Sequence, residues 1–574
     1  MKGNNPFYRY TVTLFLAILS VTSGWAQDSE QESIFFAAAP KYEVRAVWLT
    51  TIGGLDWPHH YAQTPSSISR QQQELTDILD KLKAANVNTV LLQTRIRGTV
   101  IYPSQYEPWD GCLSGNPGTS PGYDALQFAI DECHKRGMEL HAWVVSIPVG
   151  KWNKLGCTSL RRRFPRLIRK IGDEGYMNPE SEETADYIAK ICGEIADNYD
   201  VDGIHLDYIR YPETWKIKVS QEVGRSHITS IVEKVNRAVK AHKPWIKMSC
   251  SPIGKYNDLP RYWSHGWNAY TTVCQDAQGW LHNGLMDELF PMMYFQGNQF
   301  FPFAKDWQEN SYGRIICPGL GVYFLSPQEK DWDVSVIQQE MNVLRQFGLG
   351  HAYFRSKFFT DNVKDIYNIT CKYIDKYPAL IPPMTWVNNQ KPAAPTTLKV
   401  NQTDNGDEIS WSGAYAYQHS SRNDYLLYNV YASAEYPVDI QDGRNLIATR
   451  LQQPQLTLDC EAEGSKLNYA ITAVDRYGNE SAPVYSDNLK ISPISSKLPL
   501  LSNDGNTLYL PSKGQILDAD VIIIRDMTGK EVANRLYGKT ANISSLTEGM
   551  YTVYSLGRKN VQHRLGYFMK RLKR

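Results

Sequence analysis

The feature that most constrains the fold is an alternation running from about residue 42 to residue 382, in which short apolar or aromatic runs take turns with amphipathic helical patterns. Eight strand candidates can be placed, at Val44–Thr51, Thr89–Arg95, Glu139–Ser146, Gly203–Tyr208, Ile246–Ser251, Glu288–Tyr294, Ile315–Val322 and Gly350–Arg355. Helical spacing fills segments between them, such as Arg70–Ala85, Tyr123–Arg136, Ser181–Tyr199, Gln221–His242 and Val334–Phe347. Parallel strands need crossovers of this kind, and eight repeats with long loops predict an α/β fold of the (β/α)8 TIM barrel type. The alternative is a doubly wound open sheet, but no Gly-x-Gly-x-x-Gly follows the first strand, which also disfavours a nucleotide-dependent enzyme.

A barrel assigns faces by parity. In Val201–Pro212, Ile204 and Leu206 would pack under the helices, while His205 and Asp207 point inward near the carboxyl end, where barrel enzymes carry their chemistry. The same rule groups Gln93, Arg95 and Arg97 on the second strand, His141 with Trp143 on the third, and His351, Tyr353 and Arg355 on the last. Singly, each has an ordinary structural reading; together they would line one pocket. Trp57, Trp109 and the Tyr256–Trp267 stretch lie in the following loops, where aromatic rings serve either as sugar platforms or as cover for the barrel top.

Length and composition extend this picture. The 574 residues exceed one compact core, and Lys+Arg 61 against Asp+Glu 60 leaves a net charge of +1, which gives no indication of nucleic-acid binding. Residues 1–26, with Lys2 and Arg9 ahead of an apolar run, read as a signal peptide. No transmembrane segment is expected after its removal, so the expected location is secreted, periplasmic or at a bacterial cell surface. Of 9 Cys, those in apolar patterns (Cys133, Cys192, Cys250) are expected to be buried thiols, and a Cys112–Cys157 disulfide is left open. No Cys-x-x-Cys pair exists, and neither a metal nor a cofactor is expected.

Beyond a Pro-rich linker, period-two runs and the stretch Ala473–Ser481 make about residues 390–487 resemble a fibronectin type III domain, a module expected to be a spacer. Residues 495–574 read as a small β domain similar to the C-terminal sorting domains of Bacteroidetes secreted proteins.

Within the barrel, Glu43–Thr51 with Asp56-Trp57-Pro58, Gly122-Tyr123-Asp124, His134–Trp143 and Val201–Pro212 together resemble the glycosyl hydrolase-like 10 family. The resemblance implies hydrolysis of glycosidic bonds, with a polysaccharide or peptidoglycan glycan strand as partner. The chain departs from the family pattern at Val145-Ser146-Ile147-Pro148, Asn178-Pro179, Pro291-Met292-Met293-Tyr294 and Asp207-Tyr208. Glycoside hydrolysis generally uses two carboxyl groups. Asp207 is the expected nucleophile or base, kept ionised by Arg95, Arg97 or Arg210, and Glu107, in an apolar loop, is the favoured proton donor over Asp110, Asp56 and Asp258. His141, Trp143, His205, Arg210, Tyr294, Tyr353, Arg355, Trp57 and Trp109 complete the expected substrate contacts. The competing expectation is a glycan-binding protein without activity.

Overall fold

The computed structural model describes residues 39–570 except 242, 404–405, 413–424, 460–466, 488–499, 502–506, 510–520, 537–539 and 557–561. The expected signal peptide therefore lies outside the described residues.

Nine parallel strands form the central sheet: β1 (Arg45–Leu49), β2 (Thr89–Arg95), β3 (Glu139–Val145), β4 (Gly203–Asp207), β5 (Lys247–Cys250), β6 (Glu288–Leu289), β7 (Ile315–Ile316), β8 (Gly319–Leu320) and β9 (His351–Tyr353). Their order is β7-β6-β5-β4-β3-β2-β1-β9-β8. The edge strands β7 and β8 are separated only by Cys317 and Pro318, and Met292 bridges to Gly319, so the sheet curls back on itself into a TIM-like barrel. Pro318 splits what the sequence reads as one strand, and Pro291 ends β6 early, because proline donates nothing to a ladder.

Helices α1 (Pro65–Ala84), α2 (Ala125–Lys135), α3 (Glu182–Asn198), α4 (Gln221–Lys240), α5 (Phe301–Glu309) and α6 (Val334–Gln346) surround the sheet. Each long one buries a single stripe, as Leu75, Leu79 and Leu82 do on α1 and Ile228, Ile231, Val232, Val235 and Val239 on α4. Two cores result. One lies between sheet and helices and includes Ile204 and Leu206; the other fills the barrel with Ala46, Trp48, Leu91, Trp143, Phe290 and Ala352. Inside the barrel Gly203 is required by contact, since a Cβ there would sit 2.6 Å from the His141 ring.

Between β3 and α3 the chain makes an excursion: strands 148–151, 174–177 and 168–171 form an antiparallel sheet, with a helix at Leu155–Arg163. After the barrel, antiparallel sheets of three and four strands occupy residues 397–485, and two more sheets of three and four strands occupy residues 500–570.

The eight described cysteines are all free thiols. The Cys112–Cys157 disulfide is therefore absent: Cys112 is buried under its own short helix, and Cys157 packs where a Cβ on Gly175 would be 2.4 Å from its sulfur.

Candidate active site

Asp207 ends β4, whose register sets Trp143 beside His205 and Val145 beside Asp207. Its carboxylate is buried and accepts three hydrogen bonds: Trp143 Nε1 at 3.1 Å, Ser251 Oγ at 2.8 Å and the Tyr208 N–H at 2.8 Å. Burial nevertheless dominates and raises the Asp207 pKa above the ordinary value, against the lowering influence of Ser251, Arg210, Tyr208 and Trp143. Tyr208 has a φ of 52°, a left-handed backbone uncommon for a bulky residue, and such conformations cluster at functional sites.

Arg210, three residues on, is buried with its guanidinium 4.4 Å from the Tyr208 ring centroid and 5.6 Å from that of Trp267, and it donates to Glu213 Oε1 at 2.7 Å. Although partial burial acts in the opposite direction, the Arg210 hydrogen bond and charge lower the Glu213 pKa. Two carboxyl groups, one ending β4 and one on the loop that follows, thus have opposite environments: burial raises the pKa of Asp207, and the Arg210 ion pair lowers that of Glu213. Tyr294 adds a buried hydroxyl with no hydrogen-bond partner among the described residues, next to the rings of Tyr323 and Phe354.

Of the expected residues, Asp207, Trp143, Arg210 and Tyr294 gather here, and several others do not. Glu107 is not in an apolar setting: Arg95 donates to it through Nε (2.9 Å) and Nη2 (2.7 Å), Tyr187 adds a third donor, and Arg95 also binds the carbonyls of Val145 and Ser146. Arg95 and Glu107 are thereby a buried lock between β2, its loop and β3, so neither is placed to meet substrate or to keep Asp207 ionised. His141 lies deeper in the barrel, on Glu139 at 3.1 Å. His205 sits one layer below Asp207, between Trp48 Nε1 and Ser249 Oγ, and burial drives its pKa well below the usual range, which makes it a neutral core histidine.

The parity of the last strand is reversed. Ala352 pairs with Ala46 and shares its inward face, so His351 and Tyr353 point outward to Asp375, and Tyr353 stacks on Phe359 at 4.1 Å. Arg355 pairs with Asp56. Trp57 is fully buried and donates to the Gln71 carbonyl, while Trp109 is half-buried against the core. Arg97 is exposed in a cleft above β1–β3.

Ser251 and Glu213 were not among the expected site residues, whereas Trp267 closes the Tyr256–Trp267 stretch expected to supply aromatic rings. Parity applied to β5 would have found Ser251, and the position of Glu213 three residues after Arg210 was the signal for the ion pair. Glu43, His351 and Asp375 have metal-ligand spacing, but Arg45 and Arg345 already pair with both acids, which makes the group a salt-bridge lock.

Residues 43–223 and 218–313 match the glycosyl hydrolase-like 10 family. Over 480 residues the chain is 27% identical to a protein named glycosyl hydrolase YngK from Bacillus subtilis, an alignment covering 76% of this chain and 92% of that one. It is 31% identical over 297 residues to glycosyl hydrolase DigH of Escherichia coli, covering 46% of this chain and 66% of the relative. Among solved structures, the glycoside hydrolase domain of PgaB (BpsB) from Bordetella bronchiseptica aligns with a TM-score of 0.41 at 13% identity, over 57% of this chain and 98% of that one. The family match and the relatives support a glycosidase or glycan-binding role.

Proposed function

We propose that this chain is a glycoside hydrolase in which Asp207 protonates the departing glycosidic oxygen and Glu213 is the ionised partner. The observation that carries this reading is the contrast across Arg210: burial favours a proton on Asp207, whereas the ion pair keeps Glu213 charged. Enzymes that run acid and base chemistry with two carboxyl groups separate them in this way. The roles differ from the expectation that Asp207 is the charged member. Trp143 and Ser251 orient the acid, and the unpartnered Tyr294 hydroxyl is free to meet a sugar oxygen.

The proposed substrate is an extracellular or cell-wall polysaccharide, with peptidoglycan glycan strands among the candidates, reached after export directed by residues 1–26. Among the described residues no helix is long and apolar enough to cross a membrane. Residues 390–487 are proposed as a fibronectin type III domain and 495–574 as a sorting domain.

The test is release of reducing ends from a panel of glycans including denuded peptidoglycan. Wild-type protein is expected to release them and Asp207→Asn to lose about 10²–10⁴-fold in rate while still binding, the range for a general acid. Binding by both proteins with release by neither would instead identify a non-catalytic glycan-binding barrel.

A further inference from the structure

The near-zero charge of the whole chain conceals a local excess. Residues 148–177, the excursion after β3, hold eight cations (Lys151, Lys154, Arg161, Arg162, Arg163, Arg166, Arg169 and Lys170) against two acids, Asp173 and Glu174. Lys151 takes both acids, at 2.7 Å and 2.9 Å. Lys154, Arg162, Arg166, Arg169 and Lys170 are exposed, and no carboxylate lies within 4.0 Å of them among the described residues. An unneutralised patch of this kind raises a potential that attracts polyanions.

The patch is firmly built and adjoins the candidate active site. Leu160, Leu167, Ile168 and Met177 anchor it in the main core, and Trp152 is held between Arg161 (3.8 Å) and Lys170 (5.6 Å). The excursion starts at Ser146, whose N–H donates to the Asp207 carbonyl at 2.8 Å. Between it and the loops after β1 and β2 runs a cleft of about 600 Å³, walled by Gly53, Gly54, Arg97, Gly150, Lys151 and Lys154. Gly53 and Gly54 carry no side chain that would block a ligand from the backbone.

We infer that this excursion and its cleft form a binding surface for an acidic polysaccharide, whose carboxylate or sulfate groups lie on the exposed arginines and lysines while a neighbouring sugar reaches the Asp207 site. The inference rests on the glycan reading of that site and adds the charge class of the substrate. Repeated negative charge on a flexible chain suits a surface of several separate cations that have no carboxylate partner among the described residues.

The experiment is affinity electrophoresis of the full chain and of an Arg162→Gln/Arg166→Gln/Arg169→Gln/Lys170→Gln variant, with circular dichroism verifying that the variant is folded. The gels contain polygalacturonate, chondroitin sulfate, a neutral β-glucan or duplex DNA. The wild-type chain is expected to be retarded by an acidic glycan, less so with added salt, and the variant to bind it about 10-fold or more weakly, as the loss of several weak surface pairs implies. Retardation by polygalacturonate alone would identify carboxylate as the recognised group, and by chondroitin sulfate alone, sulfate. Equal retardation by the neutral glucan, an unchanged variant, or binding to DNA as tight as to either glycan would overturn the inference. Reducing-end release is a separate readout, so a chain that binds acidic glycan without cleaving it would refute the hydrolase reading and leave this one standing.

Discussion

At the scale of single residues, Asp207 is governed by two opposed influences, burial that favours the proton and three donors that favour the charge. Removing one donor predicts the sign of the change. Ser251→Ala deletes the 2.8 Å bond to Oδ1, so the Asp207 pKa rises further and the alkaline limb of the pH–rate profile moves to higher pH, measurable with kcat/KM across pH; an unmoved limb would mean that another group sets it. Glu288 offers a second, purely structural titration. It is buried in the barrel without a hydrogen-bond partner among the described residues, and burial raises its pKa from 4.5 to about 8, against the lowering influence of Lys247. The folded state holds the proton more tightly than the unfolded chain, so this contribution to stability is complete below about pH 4.5 and is lost as pH rises through about 8. Glu288→Gln, which keeps the shape and removes the titration, is expected to flatten thermal stability between these limits and to gain on the order of a few kcal/mol at the alkaline end. That Asp207 and Trp143 share the inward face of neighbouring strands follows from alternation, whereas Arg210 and Tyr294, which lie beyond the ends of β4 and β6, come from motif context. Glu107 and Arg95 were misread because an apolar loop sequence does not reveal a buried ion pair brought together by a chain reversal.

At the scale of elements, the barrel strands were legible because their apolar runs are short and are followed by long amphipathic helices, and their errors have local causes. Helix α1 starts at Pro65, well before its apolar stripe, because Thr64 and Ser67 cap each other reciprocally. The parity of β9 reversed because register against β1, which no single strand contains, decides the inward face. The strand Leu446–Leu451 was expected to belong to a spacer and does more: its Arg450 reaches under the barrel to donate to Glu139 at 3.0 Å and Asp202 at 2.7 Å. The Thr449 carbonyl would lie 2.2 Å from a Cβ on Gly137, so that contact requires glycine, which also has a left-handed φ of 70°. Arg450→Ala leaves two buried acids without this cation, a change that costs about 3–5 kcal/mol when a buried pair is broken. A correspondingly lower denaturant midpoint with unchanged slope is the expected outcome; an unchanged midpoint would show that the contact contributes nothing.

At the scale of the whole molecule, residues after the barrel cover its amino end, with Arg476 and Tyr425 both on Asp200 and Trp386, in the connecting segment, on Asp287. The amino end is thus built into the packing of the molecule, and the proposed site lies at the other end, the division of labour usual in this fold. The balanced total charge was read from the sequence correctly but averaged away the basic excursion. The central claim is that Asp207 is the proton donor of a glycosidase, and a change of leaving group tests it most directly. On a glycan substrate of the panel, whose departing sugar needs a proton, Asp207→Asn is expected to lose about 10²–10⁴-fold in kcat/KM. On the dinitrophenyl glycoside of the same sugar, whose leaving group needs none, it should retain most of the wild-type rate. An equal loss on both substrates would contradict the assignment and make Asp207 the nucleophile or base.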